Sequence, residues 1–221
     1  MQKYLLNSSN NRQVSGLYKI SDGVKRNFAH EGLQSLGGSN CAQTIQRINL
    51  HGCFQISECA LIAISSMKNL EHFVLSGCTK LNSTGLCAIA KSCSILNHIS
   101  FAGCGDCITN AVVEDMTKYL HNLKHLNLSD CCLVGRTALL GISKCEKMNH
   151  LNLSGCRKVS NEAILALCDG KYSPGLRELH LDRCPRLDDN ALMWIVDSLS
   201  SSVEGKKGYV SLTTLSMKGT K

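Results

Sequence analysis

The sequence predicts an α/β solenoid, with short strands stacked into one parallel sheet on a concave face and helices lining the convex face. Three observations predict it. Segments ending at Cys53, Cys78, Cys104, Cys131, Cys156 and Cys184 (RINLHGC, FVLSGC, ISFAGC, LNLSDC, LNLSGC and LHLDRC) recur at steps of 25, 26, 27, 25 and 28 residues. Each segment alternates apolar and polar residues like a half-buried strand, and the residues after it switch to helical spacing. The apolar positions keep fixed offsets from one unit to the next.

Counted from the last apolar residue of each strand, the template places an apolar residue at plus 6, 11 and 14. The first unit gives Ile56, Leu61 and Ile64 after Leu50, and the second gives Leu81, Leu86 and Ile89 after Leu75. The unit after Phe101 slips by one residue, to Ile108 and Val113. The offsets return as Val134, Leu139 and Ile142, then Val159, Ile164 and Leu167, then Leu187, Leu192 and Ile195. Plus 7 carries Ser57, Asn82, Ser160 and Asp188, with Thr109 equivalent after the slip, and these side chains can accept from the free amides of a helix start. Plus 10 is small in Ala60, Gly85, Ala138, Ala163 and Ala191, which lets each helix lie close to the sheet.

The same ruler laid from Asp22 reaches Phe28, Leu33 and Leu36, so a degenerate repeat is expected over residues 17–44, after an N-terminal extension over 1–16. Six clear repeats then fill 45–211. The polar, glycine-containing stretch at 199–208 reads as a mobile loop excursion. LTTLSMKGT from Leu212 opens a truncated repeat over 212–221, so the chain is expected to be a fragment of something longer.

Repeats of this length with Cys or Asn at the turn define the leucine-rich-repeat horseshoe. The fullest units, MNHLNLSGCRKVSNEAILAL and LRELHLDRCPRLDDNALMWI, resemble the cysteine-containing repeats of F-box/LRR proteins over roughly residues 45 to 217. That resemblance implies recognition of a substrate protein for an SCF-type ubiquitin ligase. It also implies a Skp-type adaptor and a cullin as further partners, reached through an F-box that residues 1–44 do not contain. Similar repeats in proteins lacking an F-box imply the alternative, a non-catalytic scaffold or regulatory adaptor of the cell-cycle or ciliary type.

Composition narrows the remaining classes. The 221 residues are 43% apolar, enough for a folded core, and the apolar stretch from Ala60 to Ile64 is far too short for a bilayer. The opening MQKYLLNSSNN lacks the apolar run of a signal peptide, so a cytoplasmic or nuclear protein is expected, with no membrane partner. Its 14 cysteines are then read as thiols, not as a disulfide framework. The formal charge of +7 is scattered among acids, with no basic run longer than Lys206-Lys207, so nucleic acid is not expected as a partner.

The expected site is the concave face, where strand residues alternate outward. One column carries Arg47, His72, His98, His125, His150 and Glu178. The next carries Asn49, Val74, Ser100, Asn127, Asn152 and His180, and the turn beyond adds His51 and Asp182. Four histidines in register should depress one another's protonation. The surface reads as rigid, small and polar, suited to a protein or an extended peptide and not to a small molecule. Cys104-Gly-Asp-Cys107 superficially matches a thioredoxin motif, but its first thiol already belongs to the cysteine ladder and no second pair exists for zinc. No dinucleotide, P-loop, nucleophile-elbow or zincin motif is present, so no catalytic residue, cofactor or metal is expected.

Overall fold

The computed structural model describes residues 13–14, 28–54, 56–168, 175–200 and 212–220. Its strands are β1 (Gln13–Val14), β2 (Arg47–Asn49), β3 (His72–Val74), β4 (His98–Ser100), β5 (His125–Asn127), β6 (His150–Asn152), β7 (Glu178–His180) and β8 (Thr214–Ser216). They form one sheet in sequence order, and every neighbouring pair is parallel. Among the described residues seven α-helices stack behind it: α1 (Phe28–Gly37), α2 (Glu58–Ile64), α3 (Ser83–Ser92), α4 (Asn110–Thr117), α5 (Arg136–Ile142), α6 (Asn161–Cys168) and α7 (Asp189–Ser200). The result is a leucine-rich-repeat solenoid of the α/β class.

The template offsets become one continuous core. Strands β2 to β7 turn their middle residue inward, so Ile48, Phe73, Ile99, Leu126, Leu151 and Leu179 stack behind the sheet, all but inaccessible. The plus 11 and plus 14 residues of α2, α3, α5 and α6 meet them, and each such side chain contributes about 1.5–3 kcal/mol by leaving water. Leu192 of α7 departs from its template position. It is 40% exposed, because among the described residues no helix stacks on the far side of α7 to cover it.

Helix starts follow local chemistry. Ser57 Oγ accepts from Ala60 N at 3.2 Å, Asn82 Oδ1 from Gly85 N at 3.1 Å, and Thr109 Oγ1 from Val112 N at 3.4 Å. The slipped unit places its extra residue in a 3₁₀ turn, Gly105–Cys107, which restores the register before α4. Asp188 accepts from Asn190 N at 2.9 Å, whereas Ser160 donates to the Glu162 carboxylate at 2.6 Å. Gly135 has no side chain to cap α5, and its own amide donates instead to Asn110 Oδ1 of the preceding repeat, at 2.7 Å.

The cysteine ladder joins the repeats. Cys78, Cys104, Cys131, Cys156 and Cys184 each donate a thiol hydrogen to the carbonyl of Leu50, Leu75, Phe101, Leu128 and Leu153 in turn, at 3.1–3.2 Å. Each acceptor directly follows the strand of the preceding repeat, so the bonds run across the stack. Cys93 makes a second tie, from its thiol to the Met67 carbonyl at 3.4 Å.

Two sequence expectations change at the ends. Gln13–Val14 lie within the expected extension and yet pair with Arg47–Ile48 as an edge strand. Leu199 and Ser200, expected in the excursion, form the last turn of α7, and 201–208 lie outside the described residues. Among the described residues no helix is long and apolar enough to cross a membrane.

Candidate functional site

The parallel register aligns the outward residues of β2 to β7 into straight columns. Arg47 faces His72, His72 faces His98, and the series continues through His125 and His150 to Glu178. Ring centroids lie 5.2 Å apart for His72 and His98, 5.5 Å for His98 and His125, and 5.6 Å for His125 and His150. The imidazoles therefore form a tilted stack along the sheet, each ring half-covered by its neighbours.

Burial in that stack costs the charged form solvation. His98 sits mid-column, and desolvation, reinforced by repulsion from His72 and His125, pulls its pKa down to about 4. His72 is also lowered, by desolvation first and then by the Arg47 guanidinium, and His125 by desolvation and then His150. Mutual repulsion was expected from the sequence; desolvation is the larger cause.

The second column is more shielded. Asn49, Asn127 and Asn152 turn their side-chain carbonyls onto the backbone amides of His51, Ser129 and Ser154, at 2.9–3.0 Å, which holds the turn after each strand. Val74 is half-buried. Ser100 was expected to meet a partner, yet it is 7% exposed and shares a 2.8 Å hydrogen bond with Ser76, so it offers little contact area. Asp182 is occupied in the same way, accepting from Ser216 Oγ at 2.6 Å and Lys218 N at 2.7 Å, which lowers its pKa.

At the C-terminal end of the face the two columns converge. His150 Nδ1 lies 2.8 Å from Glu178 Oε2, and His180 Nε2 lies 3.9 Å from the same oxygen. The His150 and His180 ring centroids are 5.4 Å apart, a diagonal contact between adjacent strands. The hydrogen bond from His150, and its charge when protonated, hold the Glu178 carboxyl below its ordinary value. Reading each column separately missed this cluster, and the only sequence signal for it is the Glu-Leu-His triplet of β7 beside a histidine one strand away.

Cys107 donates to the carbonyls of Cys104, at 3.0 Å, and Cys78, at 3.4 Å, inside the 3₁₀ turn. The adjoining Cys107 thiol, and then burial, keep Cys104 protonated, while the contact with Cys104 makes the half-buried Cys107 the more acidic of the two. An internal space of about 10 Å³ between β4, β5 and α4 is lined by Ile99, Phe101, Val113 and Met116, too small and too apolar to hold a ligand. Trp194 on α7 is half-buried on the convex side.

Comparison with known proteins agrees with this architecture. The sequence family described as Leucine Rich repeat matches residues 119–142 and 144–168. F-box/LRR-repeat protein 4 of Bos taurus is 28% identical over 154 residues, 68% of this chain and 24% of that protein. The chain therefore spans about a quarter of that curated relative's length. Among solved structures, an internalin (InlF) of Listeria monocytogenes superposes with a TM-score of 0.51 at 13% identity, covering 96% of this chain and 53% of that one. A chain from the complex of yeast Rad7 and Elc1 gives 0.50 at 17%, covering 94% and 56%. At such identities these two structures speak for the fold alone. With a ladder of cysteines closing each repeat, the chain is a leucine-rich-repeat protein, and it resembles the F-box/LRR proteins.

Proposed function

We propose that this chain is a non-catalytic protein-recognition module whose concave sheet reads a partner protein, serving as the substrate-binding part of an SCF-type ubiquitin ligase. The observation that carries the reading is the columned concave face. Arg47, the histidine stack, Asn127, Asn152 and Glu178 stand on three-residue strands locked in register, so a partner meets preorganised side chains and loses little free energy to ordering them. The face is shallow and polar, which favours an extended protein surface over a small ligand. The ligase assignment is supported by the likeness to F-box/LRR-repeat protein 4.

The test has two parts. Affinity purification of the full-length gene product from its native cells, followed by mass spectrometry, should recover a Skp-type adaptor and a cullin with the partner. A stable assembly without them would make the module a scaffold. Combining Arg47→Glu and Glu178→Lys with His98→Ala and His125→Ala should abolish partner capture while leaving the thermal transition in place. Capture that persists unchanged would remove the concave face from the proposal.

A further inference from the structure

We infer that His150, Glu178 and His180 form a binding site for one divalent transition-metal ion of the zinc class, with a coordination position left open toward the concave space. Two imidazoles and a carboxylate are a donor set that such ions prefer, and three protein ligands with one open position is the arrangement of accessible zinc sites. The three donor atoms all lie within 4.8 Å of one another. Ligands at zinc bond lengths stand about 3.4 Å apart in a tetrahedron. The observed separations of 2.8 and 3.9 Å from Glu178 Oε2 bracket that value, so small side-chain rotations suffice to close the site.

The backbone already holds the donors in place. His150 and Glu178 are direct partners in the register of β6 and β7, and His180 follows Glu178 by two residues on the same face of β7. An ordinary ion pair needs one histidine, whereas here two imidazole nitrogens approach a single carboxylate oxygen from adjacent strands. All three side chains are accessible, at 27%, 47% and 26% exposure, so an ion can enter from solvent without any opening of the fold. The neighbouring carboxylate, Asp182, is already engaged by Ser216 and the Lys218 amide and leaves the set at three.

The inference is independent of the ubiquitin-ligase reading. The experiment is calorimetric titration of the chelator-stripped chain with zinc chloride at neutral pH, repeated with cobalt(II) to read the ligand type from its absorption. One saturable equivalent is expected, with a cobalt spectrum lacking the thiolate charge transfer that any of the 14 cysteines would produce. Glu178→Gln and His180→Ala should each weaken binding by about 100-fold or more, while His98→Ala, in the same column but outside the cluster, should change it by less than about 3-fold. Circular dichroism melts of the variants confirm that each is folded, and these concave-face positions, outside the core, should leave the transition at neutral pH in place. The absence of a saturable equivalent, a thiolate-type cobalt spectrum, or equal losses in all three variants would overturn the assignment.

Discussion

The Cys156 thiol donates to the Leu128 carbonyl at 3.1 Å, and the same oxygen also accepts the Cys131 amide at the same distance. One acceptor thus closes the turn of its own repeat and ties the next repeat to it. Burial raises the Cys156 pKa far above its ordinary value, so the thiol remains a donor at any physiological pH. Cys156→Ala removes the tie and opens a small void, and a loss of about 1–3 kcal/mol is expected from urea unfolding. Cys156→Ser should recover part of that loss, because its hydroxyl can donate to the same oxygen. If serine unfolds no later than alanine, the thiol serves only as filler.

The histidine stack makes stability depend on pH. The His98 pKa falls to about 4 in the folded chain, from about 6.5 when solvated. Between those values the unfolded chain binds more protons than the folded one, so stability is complete above pH 6.5 and declines as pH falls toward 4. After allowance for solvent screening, His98 should account for about 1–2 kcal/mol of that decline. His98→Gln should flatten the dependence by this amount in urea titrations at pH 7 and pH 4.5. An unchanged slope would place the acid sensitivity elsewhere.

Much of this was legible in the sequence because a repeat spacing fixes register, and register fixes columns. The ladder thiols, the buried plus 11 and plus 14 positions of α2, α3, α5 and α6 together with Ile195, and the alignment of His72 with His98, His125 and His150 all follow from counting. What counting missed depends on neighbours it does not see. The diagonal contact of His150 with His180 crosses columns, and the shielding of Ser100 comes from its bond to Ser76. The edge strand at Gln13–Val14 is two residues long and carries no LxL signal of its own. The exposure of Leu192 reflects what is stacked beyond α7 and not the residue itself.

Gly85 reports how closely two repeats pack. A Cβ at this position would lie 2.6 Å from Leu61 Cβ, whereas the equivalent sites in α2, α5, α6 and α7 already hold alanine. Alanine normally strengthens a helix by about 1 kcal/mol over glycine, and overpacking a rigid core costs about 1–3 kcal/mol. Gly85→Ala should therefore lose up to about 2 kcal/mol in urea unfolding, against its helix propensity. Stabilisation would mean that α2 and α3 separate at little cost.

The residue before each ladder cysteine adopts a left-handed backbone. Glycine fills the position at Gly52, Gly77, Gly103 and Gly155, with φ between 69° and 75°, but Arg183 occupies it at 56° and Asp130 at 57°. A side chain there costs about 1–2 kcal/mol, less for Asp, whose short polar group tolerates the conformation. Glycine returns part of that gain through the greater freedom of its unfolded chain. Arg183→Gly should therefore raise stability by about 0.5–1 kcal/mol, since the 3.8 Å contact with Asp130 that it removes is exposed and worth little. Gly155→Ala should act in the opposite sense, because its Cβ would collide with the Asp130 carboxylate in addition to straining the backbone. Thermal melts of the two variants should move in opposite directions, and a shift in the same direction would show that the left-handed turn does not set the energy of this position.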